Sequence, residues 1–378
     1  MRRLFGITEK PECRIIGLMS GTSLDGLDVV LCRISENEII QEKFETVGYP
    51  ADIYELLKKT RSKEIVSLAE VSYLNTVLAL FTASSINTLL LDWGIKNDEI
   101  DLIASHGQTM YHAPDSSPKN TLQIVDGDHI AQKTGIITFS DFRQKHVAAG
   151  GEGAPLAIYL DKFLFKDENR TRVALNLGGI ANLTVIPSGK IQQKLISTDV
   201  GPANTLINEA MQKYFKEEFD NEGKTAAKGE SHSGLVKYLL LDPFFRKPFP
   251  KSTGQELFNL DWVERMMESH SIELPPEDLV ASLTELTVKC IARALDRLAG
   301  DAPYDLIVSG GGQQNHTMIN SLQQDLLHAS WFPITNFGIT SDAKEAVLMA
   351  YLAFNNLKNI GVNIDGTNMH LGKISLPD

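Results

Sequence analysis

Arg14–Ile34 reads RIIGLMSGTSLDGLDVVLCRI: an apolar run, a turn with glycine at Gly21 and Gly26, and a second apolar run. Runs of this length bounded by glycine are strand–turn–strand signals. The pattern returns at Arg172–Ile186, RVALNLGGIANLTVI, with Gly178 and Gly179 between the two runs. Tyr304–Val308, YDLIV, leads into SGGGQQN, and Leu102–Ala104 leads into the polar stretch SHGQTMYH, each taken as a strand ending in a loop. Helical spacing of apolar residues marks Ser67–Leu91, the segment around Leu283, Leu286, Ile291 and Leu295 up to Leu298, Thr205–Tyr214 and Asp342–Phe354. Mixed strands and helices give an α/β protein. The repeated strand–turn–strand unit suggests a duplicated architecture of two related lobes facing a cleft, although hairpins with glycine turns also recur by chance. The boundary is expected near Phe139–Val147, where a strand gives way to AAGGEGAP.

Composition narrows the partners. The 378 residues carry 36 Lys and Arg against 48 Asp and Glu, a formal charge of −12, which argues against nucleic acid and anionic membranes. The apolar share of 43% suits an ordinary globular chain of two domains. Cys13, Cys32 and Cys290 are far apart and form no CxxC pair, so neither a disulfide framework nor a zinc site is expected. No stretch is read as a membrane span, and no long apolar run follows Arg2 and Arg3, so a cytoplasmic protein is expected.

The first turn, Ser20-Gly21-Thr22-Ser23-Leu24-Asp25-Gly26-Leu27-Asp28, suits an anion. Its glycines let backbone N–H groups approach a phosphate, Thr22 and Ser23 add donors, and Asp25 and Asp28 suit a magnesium ion or its waters. The same sequence would also make an ordinary hairpin. The usual nucleotide motifs are missing. Gly223-Lys224-Thr225 lacks the loop glycine of GxxxxGK(S/T), because Glu218 stands there, and no GxGxxG follows a strand. Gly310, Gly311 and Gly312 leave room for a nucleoside or make a plain strand-to-helix turn; Gly178 and Gly179 form a third glycine turn. Asp199, in STDVGPAN, can act as a general base or as a turn-capping residue. His106 and Gln108 can line a polar pocket, with no third ligand spaced to make His106 and His112 a metal site. Lys251, Ser252 and Thr253 form a donor-rich loop.

Together these segments resemble the anhydro-N-acetylmuramic acid kinase family. The matching stretches are IGLMSGTSLDGLD (Ile16–Asp28), SHGQT (Ser105–Thr109), AAGGEGAPL (Ala148–Leu156), NLGGIANLT (Asn176–Thr184), TDVGPAN (Thr198–Asn204) and PKSTGQELF (Pro250–Phe258), in family order over most of the chain. The resemblance implies an actin-like (ribonuclease H-like) duplicated ATPase fold, with ATP, magnesium and a homodimer. One lobe would comprise residues 1–140 completed by 366–378, and the other residues 141–365. It implies hydrolysis of the 1,6-anhydro bond of a bacterial wall sugar with phosphorylation of O6, in cell-wall recycling. The base falls on Asp199 and the phosphate loop on Gly21–Asp28, with Gly178, Gly179 and Gly310–Gly312 also toward the nucleotide. Asp25 would meet the metal, directly or through water. His106, Gln108, Glu152, Gly153, Asn182, Asn204, Lys251, Ser252 and Thr253 would meet the sugar. His146 replaces the family's usual aspartate and Glu152 its glutamine, and the usual C-terminal glycine loop is not recognisable at Thr367–Gly372. The alternatives are a kinase for another sugar on the same fold, or an ATP-binding sensor without phosphotransfer.

Overall fold

The structure, a computed structural model, describes residues 2–21, 24–191, 193–254, 256–364 and 367–378. The chain divides into two compact units, one of residues 1–160 with 338–378, the other of residues 161–337.

The first unit is built on β1 (Glu12–Ser20), β2 (Leu27–Ser35), β3 (Ile39–Val47), β4 (Leu102–Ala113), β5 (Asn120–Ile124) and β6 (Thr138–Ser140). Along the sheet the order is β3-β2-β1-β4-β6; β1, β2 and β3 pair antiparallel, while β1–β4 and β4–β6 are parallel. The second unit contains β7 (Thr171–Leu177), β8 (Ile180–Ile186), β9 (Ile196–Pro202), β10 (Tyr304–Ser309) and β11 (Ala329–Pro333). Its order is β9-β8-β7-β10-β11, again with three antiparallel strands followed by two parallel ones. Matching order and matching direction make the two units copies of one ribonuclease H-like topology, as the repeated strand–turn–strand pattern suggested. Beyond them lie a small ribbon of β12 (Val362–Ile364) with β13 (Thr367–Met369), and β14 (Lys373–Ser375), which pairs with β6.

Alternation along β1 explains the layering of the first unit, since successive strand side chains point to opposite faces. Ile16 and Leu18 pack with Val29, Leu31, Ala79, Ile86 and Leu90, against the helix Leu68–Asp92. Gly17 lies on the other face, where an added Cβ would fall 2.0 Å from the Ala346 carbonyl oxygen; the helix Lys344–Leu357 lies that close. Fully burying each large aliphatic residue contributes about 1.5–3 kcal/mol. In the second unit Val173, Leu175 and Leu177 of β7 share a core with Leu283, Leu286 and Ile291 of the helix Pro276–Leu298.

Three sequence readings change. The expected lobe boundaries, at 140/141 and 365/366, differ from the unit boundaries at 160/161 and 337/338. The C-terminal helix accounts for much of the shift, because it packs on β1, β2 and β4. Second, SHGQTMYH is strand rather than loop: β4 runs on to Ala113 and pairs with β5. A bulge makes this possible. Leu18 faces Ser105 but Ser20 faces Gln108, so β4 holds an extra residue at His106–Gly107, with Gly107 at φ 76°. Third, Leu68–Asp92 is long and apolar enough by composition to cross a membrane, which the sequence reading missed because Ser, Thr and Asn interrupt its apolar run. Half of its most apolar window is buried inside the protein, with Leu74, Leu78, Ile86 and Leu90 in the core, so it is built as a core helix.

Candidate active site

The β1–β2 turn is anchored from both sides. Leu24, at φ 63°, buries its side chain with Ile53, Leu57, Leu74 and Leu78, plugging the turn into a small core of its own. Gly26 has to lack a Cβ, which would stand 2.7 Å from the Val47 carbonyl oxygen. At the root of the turn Ser20 Oγ hydrogen-bonds Tyr49 Oη and donates to Gln108 Oε1, while Gln108 Nε2 donates to the Gly21 carbonyl at 3.5 Å. Gln108 is fully buried, and burial pushes the Tyr49 hydroxyl up to about 12. Gln108 therefore braces the turn. Thr22 and Ser23, expected to donate to phosphate, lie outside the described residues.

Asp25 is exposed and Asp28 half-buried on β2. Desolvation raises the Asp28 carboxyl above its ordinary range; the Thr46 hydroxyl, donating at 2.6 Å, opposes this, and the charges of Asp342 and Asp25 add to it. Desolvation, then the Asp28 charge, likewise raise Glu345 in the first turn of the C-terminal helix. Carboxylates crowded in this way would be relieved by a cation. Among the described residues no three metal-ligating side chains are already gathered. Asp28 and Asp25 offer the one or two carboxylates that a magnesium ion arriving with phosphate ligands would need.

The β4 bulge turns His106 inward. Its Nδ1 meets the Gly107 carbonyl at 2.8 Å and its Nε2 accepts from Arg143 Nε at 2.9 Å, so the neutral Nδ1–H tautomer satisfies both contacts. Burial, then the Arg143 charge, lower its pKa to about 3. Arg143 also donates to the Gly153 carbonyl at 3.2 Å. Gly153 N–H in turn donates to His146 Nδ1 at 3.1 Å, and the His146 ring occupies the space where a Cβ on Gly151 would stand. The residue that departs from the family pattern thus supports the 148–155 loop from beneath, as an acceptor where an aspartate would also accept. Glu152 is exposed and pairs with Lys119 at 3.2 Å.

In the second unit the β7–β8 turn is closed. Gly178 O accepts from Asn204 N–H (3.0 Å) and Asn204 Nδ2 (2.8 Å), and Gly179 O from Ala203 and Thr205 N–H. Gly310, at φ 85°, lies where a Cβ would be 2.6 Å from Asn176 Oδ1, and Gly312 packs on Leu177, while Gly311 faces open space. Gly178, Gly179, Asn204 and Gly310–Gly312 therefore converge on one end of the sheet. Asn182 pairs with Asp199 across β8 and β9.

Asp199 is half-buried. Its Oδ2 accepts the Thr253 N–H at 2.9 Å and its own N–H donates to the Lys251 carbonyl at 3.0 Å. Burial raises its pKa, the Thr253 amide opposes this, and Glu256 adds to it. Thr253 Oγ1 is buried with no hydrogen-bond partner among the described residues, an orphan that a ligand hydroxyl would satisfy. Ser252 is exposed. The Lys251 side chain donates to the Phe244 carbonyl at 2.9 Å, so what it turns toward Asp199 is backbone. Sequence reasoning missed Tyr49, Arg143 and Glu345. Each is a single residue outside any motif, joined to its partners only by long-range pairing.

Two ribonuclease H-like units in one chain, each with a glycine turn between its first two strands, define the actin-like α/β class. A family model described as anhydro-N-acetylmuramic acid kinase matches residues 13–374. Relatives bearing that name include one from Pseudoalteromonas atlantica, 40% identical over 100% of this chain and 99% of its own length. Another, from Haemophilus influenzae, is 36% identical over 98% of each. Among solved structures, the activator of 2-hydroxyisocaproyl-CoA dehydratase from Clostridium difficile, with bound ADPNP, aligns over 92% of this chain and 96% of its own at 12% identity and a TM-score of 0.44. The chain belongs to the anhydro-N-acetylmuramic acid kinase family.

Proposed function

We propose that this protein uses ATP and water to convert 1,6-anhydro-N-acetylmuramic acid to N-acetylmuramic acid 6-phosphate, in recycling of the cell wall. The observation that carries the reading is Asp199: a half-buried carboxylate of raised pKa, held by a backbone amide beside an unsatisfied hydroxyl, in a chain of this family. A base of raised pKa takes a proton more readily near neutral pH. In the proposed reaction Asp199 takes a proton from water as the water oxygen bonds to C1. The C1–O6 bond breaks, O6 bonds to the γ-phosphorus, and ADP leaves. Amides of the Gly21–Gly26 turn would hold the phosphates, with Gly310–Gly312 toward the nucleoside. A magnesium ion bound with the nucleotide supplies charge neutralisation at the phosphate oxygens, and Asp28 and Asp25 are the side chains suited to hold it. Arg143, held by His106 and the Gly153 carbonyl, would be the charged group on the sugar side.

The alternative of another sugar rests on His146 and Glu152; the His146 ring accepts the Gly153 N–H and so helps to hold the loop. Family resemblance supports a homodimer, and three free, buried thiols suit a cytoplasmic setting; light scattering of the purified protein tests the first. The central test is mass spectrometry of the anhydro sugar incubated with enzyme, ATP, magnesium and heavy-oxygen water. Phosphorylation with label at C1 is expected. A phosphorylated product with the anhydro ring intact would leave a plain kinase, and phosphorylation of a common hexosamine instead would move the substrate elsewhere.

A further inference from the structure

The loop holding Asp199 is itself held by bonds to β9 and by the seat of the Lys251 side chain. β9 is an edge strand, and residues 251–253 lie along it: Lys251 N–H donates to Thr198 Oγ1 at 3.0 Å, Lys251 O accepts the Asp199 N–H, and Thr253 N–H reaches the carboxylate. The Lys251 ammonium sits 4.2 Å from the centre of the Phe244 ring and 4.8 Å from that of Phe249, and donates to the Phe244 carbonyl. Phe244 is fully buried and packs edge-on against Phe258, so the platform belongs to the core. Arg297 covers the Phe249 ring at 4.6 Å. A cation on ring faces, with its stem packed, has far fewer positions than a solvated lysine.

We infer that Lys251 is a positioning residue: its ammonium, seated on Phe244 and Phe249, fixes the backbone of residues 251–253, and that backbone aims the Asp199 carboxylate. The inference rests on Asp199 being the base. It makes the aim of the carboxylate depend on pH. Burial, then the neighbouring Arg297, lower Lys251 to about 8, with Lys247 pushing the same way and Cys290 opposing. Cys290 lies on the same helix as Arg297, and its own thiol is pushed up by burial, so near pH 8 it is uncharged and its opposition lapses. Above that pH the neutral amine gives up its attraction to the rings and the loop loosens.

The test compares full-length parent, K251M, K251R and D199N enzymes. It measures kcat and KM for both substrates across pH, and hydrogen exchange at the Thr253 amide. K251M should lower kcat roughly tenfold or more, leave the KM for ATP within about twofold, and speed exchange at Thr253. K251R, charged at every accessible pH, should restore much of kcat and move the alkaline fall of the parent from near 8 to higher pH. A K251M kcat within about twofold of the parent, unchanged Thr253 exchange, or an unmoved alkaline fall in K251R would overturn the inference. Should K251M not fold, K251R against the parent decides. An inactive D199N beside a fully active K251M sinks Lys251 alone; an active D199N sinks the base and Lys251 together.

Discussion

The β1–β2 and β7–β8 turns hold the same position in copies of one topology, yet they are held in different ways. In the second unit Gly178 and Gly179 give both carbonyls to Ala203, Asn204 and Thr205, so the turn serves as a clasp at the start of a helix. In the first unit the turn is longer, anchored by Leu24 below and braced by Gln108 at its root. Duplication supplied two equivalent turns; one has its carbonyls committed to a helix start, the other is held by side chains from below and at its root. The carboxylate proposed as the base, Asp199, lies elsewhere in the second unit, on β9.

Variants in each unit can break or sharpen this contrast. The largest effect is expected from D199N, which should lower turnover about 10³-fold while ATP binding by calorimetry is retained. Because burial raises the Asp199 pKa, parent kcat should rise with pH through a midpoint above the ordinary carboxylate range, as the base loses its proton. A midpoint at the ordinary value, in a kcat–pH profile, would remove that environment from the account. Next is L24A, which empties a buried site under the first turn; denaturant unfolding should show a loss of about 2–4 kcal/mol, with weaker ATP binding. In the second unit N204A removes donors to the Leu177 and Gly178 carbonyls and should cost about 1–3 kcal/mol in the same measurement. If N204A weakened ATP binding more than L24A did, the clasp would be the nucleotide turn and the contrast would reverse. The smallest effect belongs to E152Q, which breaks an exposed pair with Lys119 and should shift stability by less than about 1 kcal/mol.

Much of this was legible because glycine turns between apolar runs leave a local mark, and both sheets were traceable from Arg14–Ile34 and Arg172–Ile186. Asp199 was legible as a carboxylate before a Gly-Pro turn. What escaped depends on distance along the chain. Ser20 meets Gln108 only because β1 and β4 pair in parallel, and the bulge that aligns them shows in sequence as nothing more than a glycine. SHGQTMYH reads as loop because a strand that buries polar residues carries no apolar alternation. Arg143, Tyr49 and Glu345 are single residues of common types, and only the fold brings them to His106, Ser20 and Asp28. The unit boundaries were displaced because a helix near the end of the chain belongs to the sheet at its beginning.

That helix sets an order of events during synthesis. Residues 161–337 are contiguous, so the second unit has all its strands and helices once Phe337 has left the ribosome. The first unit has most of its strands far earlier, but the face of β1 around Gly17 waits for Lys344–Leu357. The unit begun first is therefore finished last, and until then one side of its sheet lacks the helix that covers it.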